Sequence, residues 1–251
     1  MLTDEELLRY SRQILLQQVD VDGQLKLKNS RVLIVGLGGL GSPVALYLAA
    51  AGVGELHVAD FDTVDLTNLQ RQIVHDIGSV GQSKVDSALR RLGAINPEIK
   101  LVAHRSALDT DSLADAVAAV DLVLDCCDNF GTREAVNKAC VAARKPLVSG
   151  AAIRLEGQLS VFDSRQPTSP CYHCLYGRGS DEDLTCSEAG VLGPLVGLVG
   201  SLQALEALKI LAGFGEPLVG RLLLVDAMTT RFRELRVKRD PACRVCGSGH
   251  E

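Results

Sequence analysis

Two short cysteine pairs carry the most specific chemistry in this chain: Cys171-Tyr172-His173-Cys174 and Cys243-Arg244-Val245-Cys246. Each C-x-x-C offers two thiolates to one metal ion. Two such pairs complete the tetrahedral set of a structural zinc site, closed and without an open position for reaction. The stretch between the pairs exceeds the usual zinc-ribbon spacing, so the site ties the end of the chain back to a distant loop. Redox thiols are the competing reading, and paired spacing in a reducing compartment weighs against them. His173 and His250 stand nearby in sequence and are not needed as ligands. Cys126, Cys127 and Cys140 read as core residues. Cys186 stands alone in Leu184-Thr185-Cys186-Ser187-Glu188 and borders a polar, acidic stretch, residues 177–183, expected to be a mobile loop. It is a candidate nucleophile, set against the ordinary role of a lone cysteine as a small inert hydrophobe.

The second constellation is Gly36-Leu37-Gly38-Gly39-Leu40-Gly41, which fits G-x-G-x-x-G at Gly36, Gly38 and Gly41. Such a loop lets backbone amides and a helix N-terminus meet phosphate with no side chain in the way. Asp60 follows Gly41 by 19 residues, near the distance expected of a ribose-binding acid. Ser42 stands where a Walker loop requires lysine. Beyond Asp60 come the segment from Asp62 to Arg71 and then Lys84 in Gly81-Gln82-Ser83-Lys84. Arg71 and Lys84 suit a triphosphate better than the diphosphate of a dinucleotide, although a surface loop with solvated charges accounts for the same spacing equally well. Asp125-Cys126-Cys127-Asp128-Asn129 closes a strand-like run, at the edge where open parallel sheets bind ligands. Asp128 is a candidate magnesium ligand there, with capping of the following helix, from Thr132, as its competing role.

These groups need a frame. Short apolar runs at Arg31–Gly36, Glu55–Asp60, Lys100–His104, Asp121–Asp125 and Pro146–Ser149 read as buried strands. They alternate with helical sequence at 40–51, 83–92, 112–120 and 133–144, the pattern of an α/β, Rossmann-like doubly wound parallel sheet. Thr3 and Glu6 form a capping box for an N-terminal helix that runs on through Leu7, Tyr10 and Ile14, followed by a polar stretch from Gly23 to Ser30. Past Gly150 the rhythm is lost. Strands are expected at 154–162 and 220–226, with weak alternation at 232–237 and a largely apolar helix near 193–211. The chain therefore reads as one domain in three parts: N-terminal helices (1–30), a nucleotide-binding half (31–150) and a C-terminal extension of the sheet carrying the four-cysteine zinc site (151–251). Its 251 residues, 47% hydrophobic and 23% charged, are globular in composition, and a net charge of −5 argues against broad nucleic-acid or anionic-membrane binding. The acidic start, Met1-Leu2-Thr3-Asp4-Glu5-Glu6, is unlike a secretory segment, and the uncharged run 189–202 is short for a membrane span, so a cytoplasmic location is expected.

Arg9-Tyr10-Ser11-Arg12-Gln13-Ile14, Gly36 to Gly41, Asp60-Phe61-Asp62, Asn68-Leu69-Gln70-Arg71-Gln72, Lys84, Asp125 to Asn129 and both cysteine pairs, in this order, resemble the MoeB/ThiF/HesA family of adenylyltransferases. These are the bacterial relatives of ubiquitin-activating enzymes. The resemblance spans nearly the whole chain, and Asn-Leu-Gln-Arg-Gln followed by the lysine is far more specific than the glycines. It implies that Gly39, Asp60, Asn68, Arg71, Lys84 and Asp128 contact ATP, in a site that also takes in Asp62, Gln70 and Asn129, with Asp128 on magnesium. It implies that Arg12 reaches into the site of the other subunit of a homodimer, and that zinc is held by Cys171, Cys174, Cys243 and Cys246. Arg12, Arg71, Lys84 and Asp128 would then be the catalytic set. Cys127 departs from the family's usual threonine. The implied reaction joins the C-terminal glycine carboxylate of a small β-grasp sulfur carrier, ending in Gly-Gly, to the α-phosphorus of ATP. Ser149 to Gln158 looks closer to the molybdopterin branch than to the thiamine branch, while Cys186 occurs in equivalent context in both. The chain ends soon after the second cysteine pair, so sulfur is expected from a separate sulfurtransferase. An NAD(P)-dependent oxidoreductase is the alternative from another class; it is allowed by the glycines and Asp60 alone, but no hydride-handling residue accompanies them. A catalytically idle scaffold for a β-grasp protein would need broken cations, yet Arg12, Arg71 and Lys84 are all present.

Overall fold

The computed structural model describes residues 1–177 and 190–247. Its strands are β1 (Arg31–Val35), β2 (Glu55–Ala59), β3 (Lys100–His104), β4 (Leu122–Asp125), β5 (Pro146–Ile153), β6 (Glu156–Asp163), β7 (Arg221–Asp226) and β8 (Arg231–Arg236). They form one sheet in the order β3-β2-β1-β4-β5-β6-β7-β8. From β3 to β5 every pairing is parallel. From β5 to β8 every pairing is antiparallel. Val32 to Val35 and Leu122 to Asp125 are each buried at four successive positions, because helices cover both faces of the parallel part. At the other end β8 is exposed at every position and carries three arginines and a glutamate, a charged edge that discourages further strand pairing.

The helices are α1 (Asp4–Arg9), α2 (Ser11–Ile14), α3 (Asp20–Lys28), α4 (Gly41–Ala51), α5 (Lys84–Ile95), α6 (Thr110–Ala118), α7 (Phe130–Ala142), α8 (Tyr172–Tyr176) and α9 (Gly193–Ala212). By length and composition α9 resembles a membrane span, but here it is a core helix packed on α4, α3, β5 and β6. One of its charged residues, Glu206, is buried and accepts from Lys209 Nζ (2.6 Å) and Leu218 N (2.7 Å).

Three expectations are revised. The capping box of Thr3 and Glu6 is present, but the single N-terminal helix breaks at Tyr10. Tyr10 is 3% exposed, and its hydroxyl accepts from Asn96 Nδ2 at 2.8 Å, so tertiary packing sets the break. The polar stretch from Gly23 lies mostly within α3; Gln24 is fully buried there and donates to Ala51 O at 2.9 Å, which disguises a core-facing position as a polar one. Finally, β5 runs straight through Gly150 as far as Ile153 and turns back into β6 at Arg154, whose φ is +53°. The lost rhythm near Gly150 marks the change from parallel to antiparallel pairing within one continuous sheet.

Candidate functional site

β1 and β4 lie side by side, and this central crevice of the parallel sheet is where ligands of doubly wound folds bind. The glycine loop leaves β1 there. Gly36 has φ +95°, and a Cβ on it would stand 2.7 Å from Cys126 O; a Cβ on Gly41 would stand 1.9 Å from Gly36 O. Only glycine permits so close a turn at these two positions. Ser42 N donates to Gly38 O at 2.9 Å as α4 begins, so the helix N-terminus follows directly on the loop. Gly39 rests on Val196 of α9, and a Cβ on Gly38 would stand 3.7 Å from Gln72 Nε2.

Asp60, at the end of β2, is fastened to this loop. Its Oδ2 accepts from Leu37 N (2.8 Å) and its Oδ1 from Asp62 N (2.9 Å). Lys84, the first residue of α5, is 6% exposed; its Nζ donates to Asp62 Oδ2 at 2.8 Å and lies 3.9 Å from Asp60 Oδ2. The lysine is thus held in place by two carboxylates beside the glycine loop. Asp65 caps the 3-10 turn of Leu66–Asn68, and Arg71 is steadied by donating to Thr67 O (3.2 Å) and Asn68 Oδ1 (3.3 Å). Gln70 is exposed, and its carbonyl lies against Gly193 at the start of α9.

Sequence reasoning missed His75. Its Nε2–H donates to Leu37 O (3.1 Å), and Nδ1 accepts from Ser87 Oγ (2.9 Å), a tautomer fixed by the carbonyl. Burial holds this imidazole below its ordinary pKa, and the charge of Lys84 acts in the same sense. Leu37 is therefore clamped at both ends of its backbone, by Asp60 at the amide and by His75 at the carbonyl.

The end of β4 is built with equal care. Asp125 is 1% exposed; its Oδ1 accepts from Cys127 N (3.0 Å), and its Oδ2 accepts from Ser149 Oγ (2.6 Å) and Arg133 Nη1 (3.0 Å). Arg133 also donates to Gly150 O and to Cys127 O, and Gln203 donates to Asp125 O at 2.8 Å. This network holds the backbone that presents Asp128, whose own carboxylate is exposed and has no partner among the described residues. The capping role that competed for Asp128 belongs to Asn129, whose Oδ1 accepts from Thr132 N at 2.9 Å; the helix starts at Phe130, earlier than expected. Arg133, Ser149 and Gln203 gave no signal, because their partners are distant in sequence. Cys126, Cys127 and Cys140 are buried, and burial pushes each thiol well above its ordinary pKa.

Arg12 is not brought to this site within its own chain. It is exposed on α2, where its neighbour Gln13 donates to Ala51 O (3.1 Å) at the far end of α4. An eleven-residue helix puts that end roughly 15 Å from the glycine loop. Cys186 and most of the acidic stretch expected to be a loop lie outside the described residues, as does His250.

The four paired cysteines do converge. Their sulfurs all lie within 4.8 Å of one another, with Cys171–Cys243 at 3.6 Å, Cys174–Cys246 at 3.4 Å and Cys171–Cys174 at 3.9 Å. Thiolates about 2.3 Å from a tetrahedral metal would stand roughly 3.8 Å apart, so the set fits such an ion. Asp240 N (3.4 Å) points at Cys174 Sγ and Val245 N (3.5 Å) at Cys243 Sγ, as suits thiolate acceptors. His173 is engaged elsewhere, with Glu134 at 3.0 Å.

The chain is similar over nearly its whole length to known proteins. The molybdopterin-synthase adenylyltransferase of Escherichia coli K12 is 55% identical over 246 residues, which cover 98% of each chain. The sulfur carrier protein ThiS adenylyltransferase of the same organism is 46% identical over 249 residues, covering 99% of this chain and 98% of that one. The adenylyltransferase and sulfurtransferase MOCS3 of Aedes aegypti is 46% identical over 248 residues, or 98% of this chain but 56% of that protein. Among solved structures, E. coli MccB with ATP superposes with a TM-score of 0.85 at 26% identity, over 95% of this chain and 73% of that one. The ThiF family model matches residues 10–245, and the chain belongs to that family.

Proposed function

We propose that this chain adenylylates the C-terminal glycine carboxylate of a small β-grasp sulfur-carrier protein, consuming ATP and releasing pyrophosphate. The observation that carries this reading is the carboxylate of Asp128, without a partner among the described residues, on a backbone held by the Asp125–Arg133 network at the crevice edge beside the glycine loop. Near full-length likeness to two adenylyltransferases supports the substrate class, and the higher identity, 55% against 46%, favours the molybdopterin carrier over the thiamine carrier.

The chemistry asks little of a general base. A terminal carboxylate titrates at about 3.5, so the nucleophile is already ionised near neutral pH. Its oxygen attacks the α-phosphorus, the bond to the bridging oxygen breaks, and pyrophosphate leaves with the electron pair. What the protein supplies is alignment of two anions and neutralisation of charge growing on the leaving group. In this reading the glycine loop and Asp60 hold the nucleoside end and the phosphate attached to it, with Gly36, Gly38, Gly39, Gly41, Asn68, Gln70 and Asn129 lining this part of the site. Arg71, Lys84 and Arg12 of the partner subunit take the phosphates, Lys84 exchanging part of its pairing with Asp62 for phosphate oxygen. Asp128 would hold Mg²⁺, which when bound neutralises phosphate charge. Cys171, Cys174, Cys243 and Cys246 would hold Zn²⁺ in a structural role. The enzyme acts as a cytoplasmic homodimer, and the sulfur is delivered by a separate sulfurtransferase. The test is a panel of carriers with ATP, scoring pyrophosphate release and the mass of an adenylated C-terminus. Release with the molybdopterin carrier supports the reading, and no release with any Gly-Gly carrier refutes it.

A further inference from the structure

We propose that Gln72 is a further nucleotide-contacting residue, its carboxamide N–H donating to a phosphate oxygen seated over Gly38. The inference rests on the adenylyltransferase reading and adds a residue to that site. Gln72 is only 4% exposed, yet neither its Oε1 nor its Nε2 has a hydrogen-bond partner among the described residues. Buried carboxamides normally pair both ends, so an unpaired one beside a ligand loop points to a group that arrives from outside. Nε2 stands 3.7 Å from where a Cβ on Gly38 would lie, and nothing else across the loop comes within 4 Å of that point. Gly38 thus has an open space above it, with an amide donor at its rim. Two of the four orphaned buried side-chain atoms among the described residues border this loop, Ser42 Oγ and Gln72 Oε1. Ser42 is sealed at 0% exposure, whereas the carboxamide of Gln72 reaches the loop through its other end, Nε2.

The backbone of Gln72 is not free to swing away. Its N–H donates to Asn68 O at 3.0 Å, and its carbonyl accepts from His75 N at 3.1 Å, while the His75 ring bonds Leu37 O, the residue before Gly38. The same short segment therefore grips the loop at one residue and offers a donor at the next. A phosphate oxygen over Gly38 gives that donor a charge-assisted partner. The anion also selects the orientation of the amide, since it attracts Nε2 and repels Oε1.

The test is calorimetric titration of the full-length protein with ATP, and with adenosine as a ligand of the same base and sugar without phosphate. Gln72→Leu keeps the volume and loses the donor. It is expected to weaken ATP binding about tenfold, leave adenosine binding unchanged, and melt no lower than the parent without nucleotide, because an unpaired buried amide has been removed. Gln72→Glu, which turns acceptors towards an anion, should weaken ATP further. Gln72→Asn withdraws the donor by one methylene and decides the matter should the other two not fold. Parental ATP affinity in the folded variants overturns the role of Gln72, as does a parallel loss of adenosine, which would mark a purely structural effect on the loop. A parent protein that binds no ATP overturns the underlying reading instead.

Discussion

The exposed carboxylate of Asp128 and the sealed one of Asp125 stand three residues apart on the same turn, and their surroundings assign them opposite tasks. Asp125 spends both oxygens on Cys127 N, Ser149 and Arg133, so it builds; Asp128 has no partner among the described residues, so it is available. Asp128→Asn and Arg71→Ala are therefore expected to cut carrier-dependent pyrophosphate release by roughly 100-fold or more while leaving the melting temperature near the parental value. Near-normal turnover in both would remove them from the site. His75 gives a pH signature. Burial lowers its pKa below the ordinary 6.5, so below pH 6.5 the unfolded chain binds a proton that the folded one resists. Its contribution is fully present above pH 6.5 and is lost as pH falls below that value. In melting curves from pH 7.5 to 5.5, His75→Gln should lose less stability on acidification than the parent; the slope will not vanish, because burial lowers the pKa of His104 as well. Coincident slopes would show that the fold does not hold His75 neutral. At this scale the turn glycines Gly36 and Gly41 and the strand-end positions of Asp60 and Asp128 were legible, because each belongs to a local strand–turn unit, whereas Lys84 was set apart from a solvated surface charge only by the family resemblance. Arg133, Gln203 and His75 were not, since each acts on a backbone carbonyl that no sequence pattern marks.

Among the elements, the parallel strands were easiest to read, because burial on both faces leaves unbroken apolar runs such as Val32-Leu33-Ile34-Val35. The antiparallel half gave weaker signals: β8 is wholly exposed, so no buried face imposes an alternation on its residues. α3 was hidden by a buried glutamine, and the N-terminal break by a tyrosine whose partner, Asn96, is 86 residues away. The cysteine pairs are the element-scale exception, two local motifs whose meeting is long-range but whose chemistry allows few other outcomes. They tie the segment before β7 to the one after β8. With zinc bound, folding and metal affinity are linked, so Cys243→Ser should lower the melting temperature by several degrees without directly removing the adenylation chemistry. Metal analysis of freshly reduced protein should find one zinc per chain. Finding none would refute the tetrathiolate site, and an inactive but equally stable Cys243→Ser would reassign those thiols to chemistry.

For the whole molecule the decisive residue is Arg12. Nothing among the described residues carries it to the glycine loop of its own chain: α2 is pinned through Gln13 to the far end of α4, and Arg12 itself is exposed. Beside it Leu15 and Leu16 are 72% and 54% exposed, apolar surface of the kind a second copy would cover. If Arg12 completes the site of the partner subunit, two damaged chains can repair each other. Arg12→Ala and Lys84→Ala homodimers should each be inactive. In a mixed dimer one site loses both cations, while the other combines an intact Lys84 with an intact Arg12 from across the interface. Random exchange puts about half of the dimers in the mixed form, each with one working site of two, so recovery should approach roughly a quarter of parental activity. Subunit exchange is verified independently by mass-tagged chains. Full exchange without recovery would mean that Arg12 acts in its own chain or not at all, and a monomer by light scattering at assay concentration would exclude a shared site, because no second chain would be there to supply the arginine.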